Sequence, residues 1–191
     1  MLIVHAGNRI DRLARKVPRF PSSQVPQVTA RAARLLRTLA PVAVVSAPAA
    51  GADLIVLAEA QRLGLAVHIL LPIPEDDFVA ASVADGGPEW VTMFHDVIDA
   101  AGTDPSSSIE ALDMRGVPQW YVAANDVLLD LARRIARRDG GDDEAVLALT
   151  VRPPGTEDPP SATDDLAARA RRAGLAVLTL DPRPGACDIV A

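Results

Sequence analysis

The chain has 191 residues, enough to bury roughly 70% of its unfolded surface in one domain without disulfide or metal staples. Apolar residues make up 49% but aromatics only 3%, so the core must be built from Val, Leu, Ile and Ala, a palette that suits a buried parallel sheet under Ala-rich helices. A formal net charge of −6 argues against a binder of duplex DNA, which needs a basic face to release counterions.

Leu2 to Ala6 is a short apolar run, read as a strand, and Gly7-Asn8-Arg9 turns the chain out of it. A Pro-containing loop from Val17 to Ser23 follows. Val28, Ala32, Leu35, Leu36 and Leu39 then fall at helical spacing, with Pro26 suited to the first turn. Pro41 ends that helix; Val42 to Val45 is a second strand, and Ser46 to Gly51 is a small-residue turn. The next helix is expected from Ala52 to Leu63, with Leu54, Leu57 and Ala58 facing inward and Gly64 just past its end. Ala66 to Leu71, stopped by Pro72, is a third strand. This alternation implies a parallel sheet with right-handed crossovers.

Pro74 to Phe78 places acids in the first turn of a helix, which Gly86-Gly87-Pro88 breaks. A helix over Glu89 to Ala100 follows, and Thr103 to Gly116 reads as loop or weak strand. Val117 to Arg138 is a long helix with Tyr121, Asn125, Leu128, Ala132 and Ile135 on one face. After a turn at 139–143 come a strand over Ala145 to Val151, an irregular Pro-rich loop from Arg152 to Pro160, a helix from Ser161 to Ala173 and a strand from Ala176 to Leu180. The fold class this predicts is α/β: a Rossmann-like open parallel sheet with helices on both faces, one domain over residues 1–191.

Open parallel sheets take ligands at the carboxyl ends of their strands. Three turns leave such ends here: Gly7 to Asp11, Ser46 to Asp53, and Arg152 to Asp164. Gly51, opening a helix straight after a strand, would let a phosphate or ribose approach backbone N–H groups at the helix N-terminus, where Ala52 follows. Asp53 can accept from a ribose hydroxyl or can simply complement the helix dipole. Asn8 either contacts a ligand or tolerates a left-handed turn, and Arg9 either meets a phosphate or is solvated. Thr163 and Asp164 stand in the first turn of the last helix, where Ser161 or Thr163 can be its cap. Glu59 reads as a surface or paired carboxylate, and Tyr121 with Asn125 lines either a pocket or a core edge. There is no GxGxxG fingerprint and no Walker A lysine, and no serine sits in a nucleophile elbow.

His5, His68 and His95 have no metal-ligand spacing, and His5 and His68 read as core histidines. The single cysteine, Cys187, allows no disulfide within the chain and no thiolate cluster. The arginine groups at 133–138 and 169–172 suit solvated helix ends. The first strand begins at once, so no signal peptide is read, and no apolar run reaches the ~18 residues of a membrane span. The expected location is cytoplasmic.

Three stretches carry a family resemblance: G-N-R-I-D (Gly7 to Asp11), P-R-F-P (Pro18 to Pro21) and S-A-P-A-A-G-A-D-L-I-V-L-A-E-A (Ser46 to Ala60). Together they resemble the SLOG superfamily, which unites the DprA/Smf DNA-processing Rossmann domain and the Lonely Guy cytokinin-activating domain. V-H-I-L-L-P-I-P-E-D-D-F (Val67 to Phe78), Ser82-Val83 and the Trp90 to Phe94 segment resemble a bacterial branch whose members accompany signalling or effector modules. P-S-A-T-D-D-L (Pro160 to Leu166) and L-T-L-D-P (Leu178 to Pro182) resemble that branch's G-G-T-x-D turn and final strand. The resemblance implies a nucleotide-derived ligand near Gly51, Asp53 and Thr163. It departs at Asn8, where many relatives carry His, and at Ser161-Ala162, where they carry Gly-Gly. The catalytic Lonely Guy pattern P-G-G-x-G-T-x-x-E is met only in part by Pro154-Gly155-Thr156-Glu157.

The favoured reading is a non-catalytic domain that binds or senses a nucleotide or nucleotide-derived ligand, within a bacterial signalling or defence system. Its partners would be that ligand and either an effector protein or further copies of itself, with no membrane and no nucleic acid; no resident cofactor and no metal are read. The alternatives are an N-glycosidic hydrolase of Lonely Guy type, using Glu59, Asp53 or Asp164, and an assembly module with a vestigial pocket. The residues expected at the ligand are Gly7, Asn8, Arg9, Asp11, Ser46, Gly51, Ala52, Asp53, Glu59, Tyr121, Asn125, Thr163 and Asp164.

Overall fold

Apolar residues alternate between two faces along each inner strand, and that alternation builds the sheet. The structure is a computed structural model that describes residues 1–12, 15, 17–138, 140, 145–154 and 161–185. Cys187, most of the turn at 139–143 and the 155–160 part of the Pro-rich loop, with Gly155 to Glu157, lie outside the described residues. The strands are β1 (Leu2–Gly7), β2 (Ala43–Ser46), β3 (Ala66–Leu71), β4 (Ser108–Ala111), β5 (Val146–Val151) and β6 (Ala176–Leu180). They form one six-stranded sheet in the order β4-β3-β2-β1-β5-β6, every neighbouring pair parallel. The expected Rossmann-like parallel sheet is the one observed.

Six α-helices surround it: α1 (Val25–Leu39), α2 (Ala52–Arg62), α3 (Glu75–Ser82), α4 (Pro88–Thr103), α5 (Trp120–Arg138) and α6 (Ala162–Arg172). On one face Val28, Leu36, Leu54, Phe78 and Phe94 pack with Ile3, Val44, Ile69 and Leu149. On the other, Leu128, Ala132, Ile135 and Leu166 pack with Leu2, Val4, Val45 and Ala148. Leu2 and Val4 therefore face one layer and Ile3 the other, as the two-residue period of a strand requires. No helix among the described residues is long and apolar enough to cross a membrane.

Three details differ from the sequence expectation. α2 is buried on nearly all sides, Ile55 and Val56 included, because it is packed between the sheet, α1 and α4; a helix apolar all round belongs in such a place. β4 is a short edge strand whose Ser108 and Glu110 hide the apolar signal of a strand. α5 begins at Trp120 rather than Val117, after Pro118 and a left-handed Gln119 at φ +50°.

The chain winds outward from β1 through β2 and β3 to β4, and α5 carries it back past β1 to β5 and β6. The winding direction reverses at β1. The carboxyl ends of β1 and β5 therefore flank the crevice where open α/β sheets accept ligands.

Candidate functional site

β1 ends at Gly7 because nothing larger fits: a Cβ there would sit 2.4 Å from the Ala52 Cβ and 3.2 Å from the Val151 Cβ. The chain then lies across the start of α2. The Asn8 N–H donates to the Val151 carbonyl, the Ile10 N–H to the Ala50 carbonyl and the Ala52 N–H to the Asn8 carbonyl. Arg9 and Gly51 face each other in an isolated antiparallel bridge. Gly51 has φ +124°, and a Cβ on it would fall 2.5 Å from the Ile10 nitrogen and 2.7 Å from the Asn8 oxygen.

Gly51 and Ala52, expected at a ligand, have a structural task here and lie outside the cavity described below. The missing side chain of Gly51 admits the protein's own loop, and the Ala52 N–H already has an acceptor. Ser46 is internal too: it is fully buried, and its hydroxyl donates to the His5 carbonyl at 3.1 Å.

Beside this crossing, at the carboxyl edge of the sheet, lies a cavity of about 900 Å³, within the roughly 300–1,000 Å³ range of small-molecule pockets. His5 to Gly7 at the end of β1, with Asn8 just after it and Asp53 of α2, form its floor. Trp120, Tyr121 and Asn125 of α5 line one side, Ser161, Ala162 and Thr163 bring the start of α6, and Arg9, Arg15 and Arg19 come from the segment after β1.

Asp53 Oδ1 accepts from the Gly7 N–H at 2.6 Å and lies 3.3 Å from His5 Nε2. The other His5 nitrogen, Nδ1, is 2.9 Å from the Leu149 carbonyl, which can only accept. Nδ1 therefore carries a proton, and a neutral His5 would turn a lone pair toward Asp53. Burial pushes the Asp53 carboxyl above its ordinary range, opposed by the hydrogen bond and charge of His5 and by the Gly7 N–H. With the folded value raised, the stabilising contribution is complete below the ordinary carboxyl pKa of 3.8 and is lost as pH rises through the raised value. Asp53→Asn is therefore expected to raise the Tm at neutral pH, by an amount that shrinks to nothing toward pH ~4. Thermal unfolding across that range checks it; a loss of stability equal at every pH would contradict the burial argument.

At α6, Ser161 is the N-cap: its Oγ accepts from the Asp164 N–H at 3.2 Å, and Asp164 Oδ2 accepts from the Ser161 N–H at 3.0 Å. Asp164 Oδ1 lies 3.0 Å from an Arg152 nitrogen. The Asp164 carboxylate thus serves its own helix and Arg152. Thr163 is buried and lines the cavity. Asn125 lines it as well, but its amide donates to the Ala162 carbonyl at 2.9 Å and to Asp165 Oδ2 at 2.8 Å, fixing α5 to the start of α6. Tyr121 stands half exposed at the cavity. Glu59 is removed from it: its carboxylate takes Arg62 Nη2 at 2.6 Å, a turn along α2.

Asp11 also has a structural task. Its Oδ2 accepts from the N–H groups of Arg19 and Phe20 at 2.7 and 2.8 Å, closing the loop on which Arg15 and Arg19 reach the cavity. Arg9 donates to the Ala81 carbonyl at 3.2 Å and pairs with Asp85, which also holds Arg12. Burial lowers the Arg9 pKa and Asp85 raises it again; a guanidinium stays charged throughout. Among the described residues no group of three His, Cys, Asp or Glu could hold a metal.

No protein-family model matches the chain, and no curated protein matches it. Among solved structures it is similar to DNA processing protein A (DprA) from Streptococcus pneumoniae, at 14% identity and a TM-score of 0.43, over 92% of this chain. The chain spans 57% of the length of that protein.

Of the expected residues, Gly7, Asn8, Arg9, Asp53, Tyr121, Asn125 and Thr163 line one cavity, whereas Asp11, Ser46, Gly51, Ala52, Glu59 and Asp164 do not. Residues not expected there include His5, Arg15, Arg19, Phe78 and Trp120. Arg19 lies in the P-R-F-P stretch, next to the fully buried Phe20. Nothing local marked His5, which is both a core residue and part of the floor.

Proposed function

We propose that this chain binds a nucleotide or nucleotide-derived ligand in the cavity at the carboxyl edge of its sheet, as a binding or sensing module rather than as an enzyme. One observation carries the reading. The same cavity at the reversal of strand order gathers three arginines, the N-terminus of α6 and the ring of Trp120. Guanidinium groups and helix N-termini suit phosphate, and an aromatic face suits a base. The sequence resemblance to a signalling-associated bacterial branch supports a place in a signalling or defence system, where occupancy would be passed to an effector protein or a second copy.

The non-catalytic reading follows from the carboxylates. Glycoside cleavage commonly uses two of them across the scissile bond, and Glu59 and Asp164 are committed elsewhere. Asp53 alone of the three lines the cavity. That placement is what favours the second reading, N-glycosidic hydrolysis. Release of free base from a nucleoside monophosphate or NAD, lost in Asp53→Ala, would establish it.

Thermal shift and calorimetry against nucleoside monophosphates, NAD and its cyclic derivatives test the proposal. A ligand at a hundredfold its Kd stabilises by about 2.7 kcal/mol, roughly 5–10 °C in a chain this long. No shift with any of them at millimolar concentration would sink the proposal and leave the cavity vestigial.

A further inference from the structure

Two polar side chains at the cavity keep hydrogen-bonding capacity that a ligand can use. Asn8 is 5% exposed, and its amide nitrogen is buried with no hydrogen-bond partner. Asp53 is 8% exposed, and its Oδ1 receives Gly7 and faces His5. Those contacts use Oδ1, and Oδ2 is the second acceptor of the same carboxyl group. Both residues line the cavity. A buried donor left unpaired loses its hydration without recovering it, so the Asn8 amide contributes nothing to stability through that nitrogen.

We propose that Asn8 Nδ2 and Asp53 Oδ2 form a donor–acceptor floor that reads sugar hydroxyls of the ligand, so that the cavity selects ribosyl over deoxyribosyl compounds. This rests on the ligand reading above and adds what the floor recognises. A hydroxyl accepts from the amide and donates to the carboxylate, so a vicinal diol meets both groups with one rigid unit. The arginines supply the complement for a phosphate and Trp120 for a base; neither offers the acceptor that a sugar O–H requires. His5, packed behind Asp53 and bonded to the Leu149 carbonyl, holds that carboxylate in place. The groups facing Asp53 are His5 and the Gly7 N–H from β1 and the charge of Arg9 from the segment after it.

The test is calorimetry of the full chain with each of the four common ribonucleoside 5′-monophosphates and its 2′,3′-dideoxy counterpart, for wild type and Asn8→Ala. At least one ribo form is expected to bind, with its dideoxy counterpart weaker by about tenfold or more, because a site built to pair a hydroxyl rejects the analogue that lacks it. Asn8→Ala is expected to erase that preference while the Tm stays level or rises, since the substitution removes an unpaired donor. Ribo and dideoxy forms binding within about twofold would overturn the floor and leave nucleotide binding standing. Binding of no monophosphate would also overturn it, and the NAD arms of the earlier panel then decide the wider reading separately. A fall in Tm for Asn8→Ala with the ribo preference intact would assign Asn8 a purely structural role, against the proposal.

Discussion

Gly51→Ala is expected to cost about 3 kcal/mol or more, among the largest effects of any single substitution in this chain. Two causes add. At φ +124° an L side chain is strained wherever it sits, and here the added Cβ meets backbone: the Ile10 nitrogen at 2.5 Å, the Asn8 oxygen at 2.7 Å and the Arg9 carbonyl carbon at 2.9 Å. Backbone cannot rotate aside as a side-chain tip can, so relief requires breaking the Arg9–Gly51 bridge and lifting the segment that carries Asn8 to the floor. Gly64→Ala is the control. Its φ is +73°, but nothing lies within 4 Å of the added atom, so only the conformational cost of about 1 kcal/mol remains. Urea unfolding of the two variants separates packing from conformation. Equal losses would mean that the crossing at Gly51 yields easily and the close approach is not what demands glycine.

Phe20→Ala is expected to cost about 3–5 kcal/mol, the usual range for emptying a fully buried aromatic site. Phe20 is 0% exposed and belongs to the core on the α1–α4 face. It also closes the loop that follows β1, because the Asp11 N–H donates to its carbonyl at 2.9 Å and its own N–H donates to Asp11 Oδ2 at 2.8 Å. Arg15 and Arg19 sit on that loop, so the substitution is expected to weaken phosphate-bearing ligands even below the Tm of the variant. Asp11→Ala loosens the same loop without a core cavity and should cost less, about 1–3 kcal/mol. Comparing unfolding free energy with ligand affinity in the two variants checks this. Unchanged affinity in Asp11→Ala would show that the loop's closure does not position Arg15 and Arg19.

Much of the fold was legible because its signals are local. Ala66–Leu71 and Ala176–Leu180 are apolar runs bounded by breakers, and their strands have those same limits. β4 was blurred because an exposed edge strand need not be apolar. The site was legible in outline: three strand-to-helix turns were picked out, and residues from all three meet at one cavity. The roles within those turns were not legible. Gly51 invited a ligand on spacing, yet the same residue type serves equally to let one backbone cross another.

The sequence by itself determined the alternation of strands and helices, the parallel sheet and the turns that collect at its carboxyl edge. These follow from hydrophobic period and from the positions of Gly and Pro, which act over a few residues. Only the tertiary structure decided which polar groups were already taken. It tied Asp164 to Ser161, Glu59 to Arg62, Asp11 to Phe20 and one oxygen of Asp53 to Gly7, and it left the amide nitrogen of Asn8 without a partner at the cavity. Asn8 and Asp53 stand 45 positions apart in the chain. Hydrogen-bond partnership at that separation is set by how the layers pack, and no local pattern encodes it.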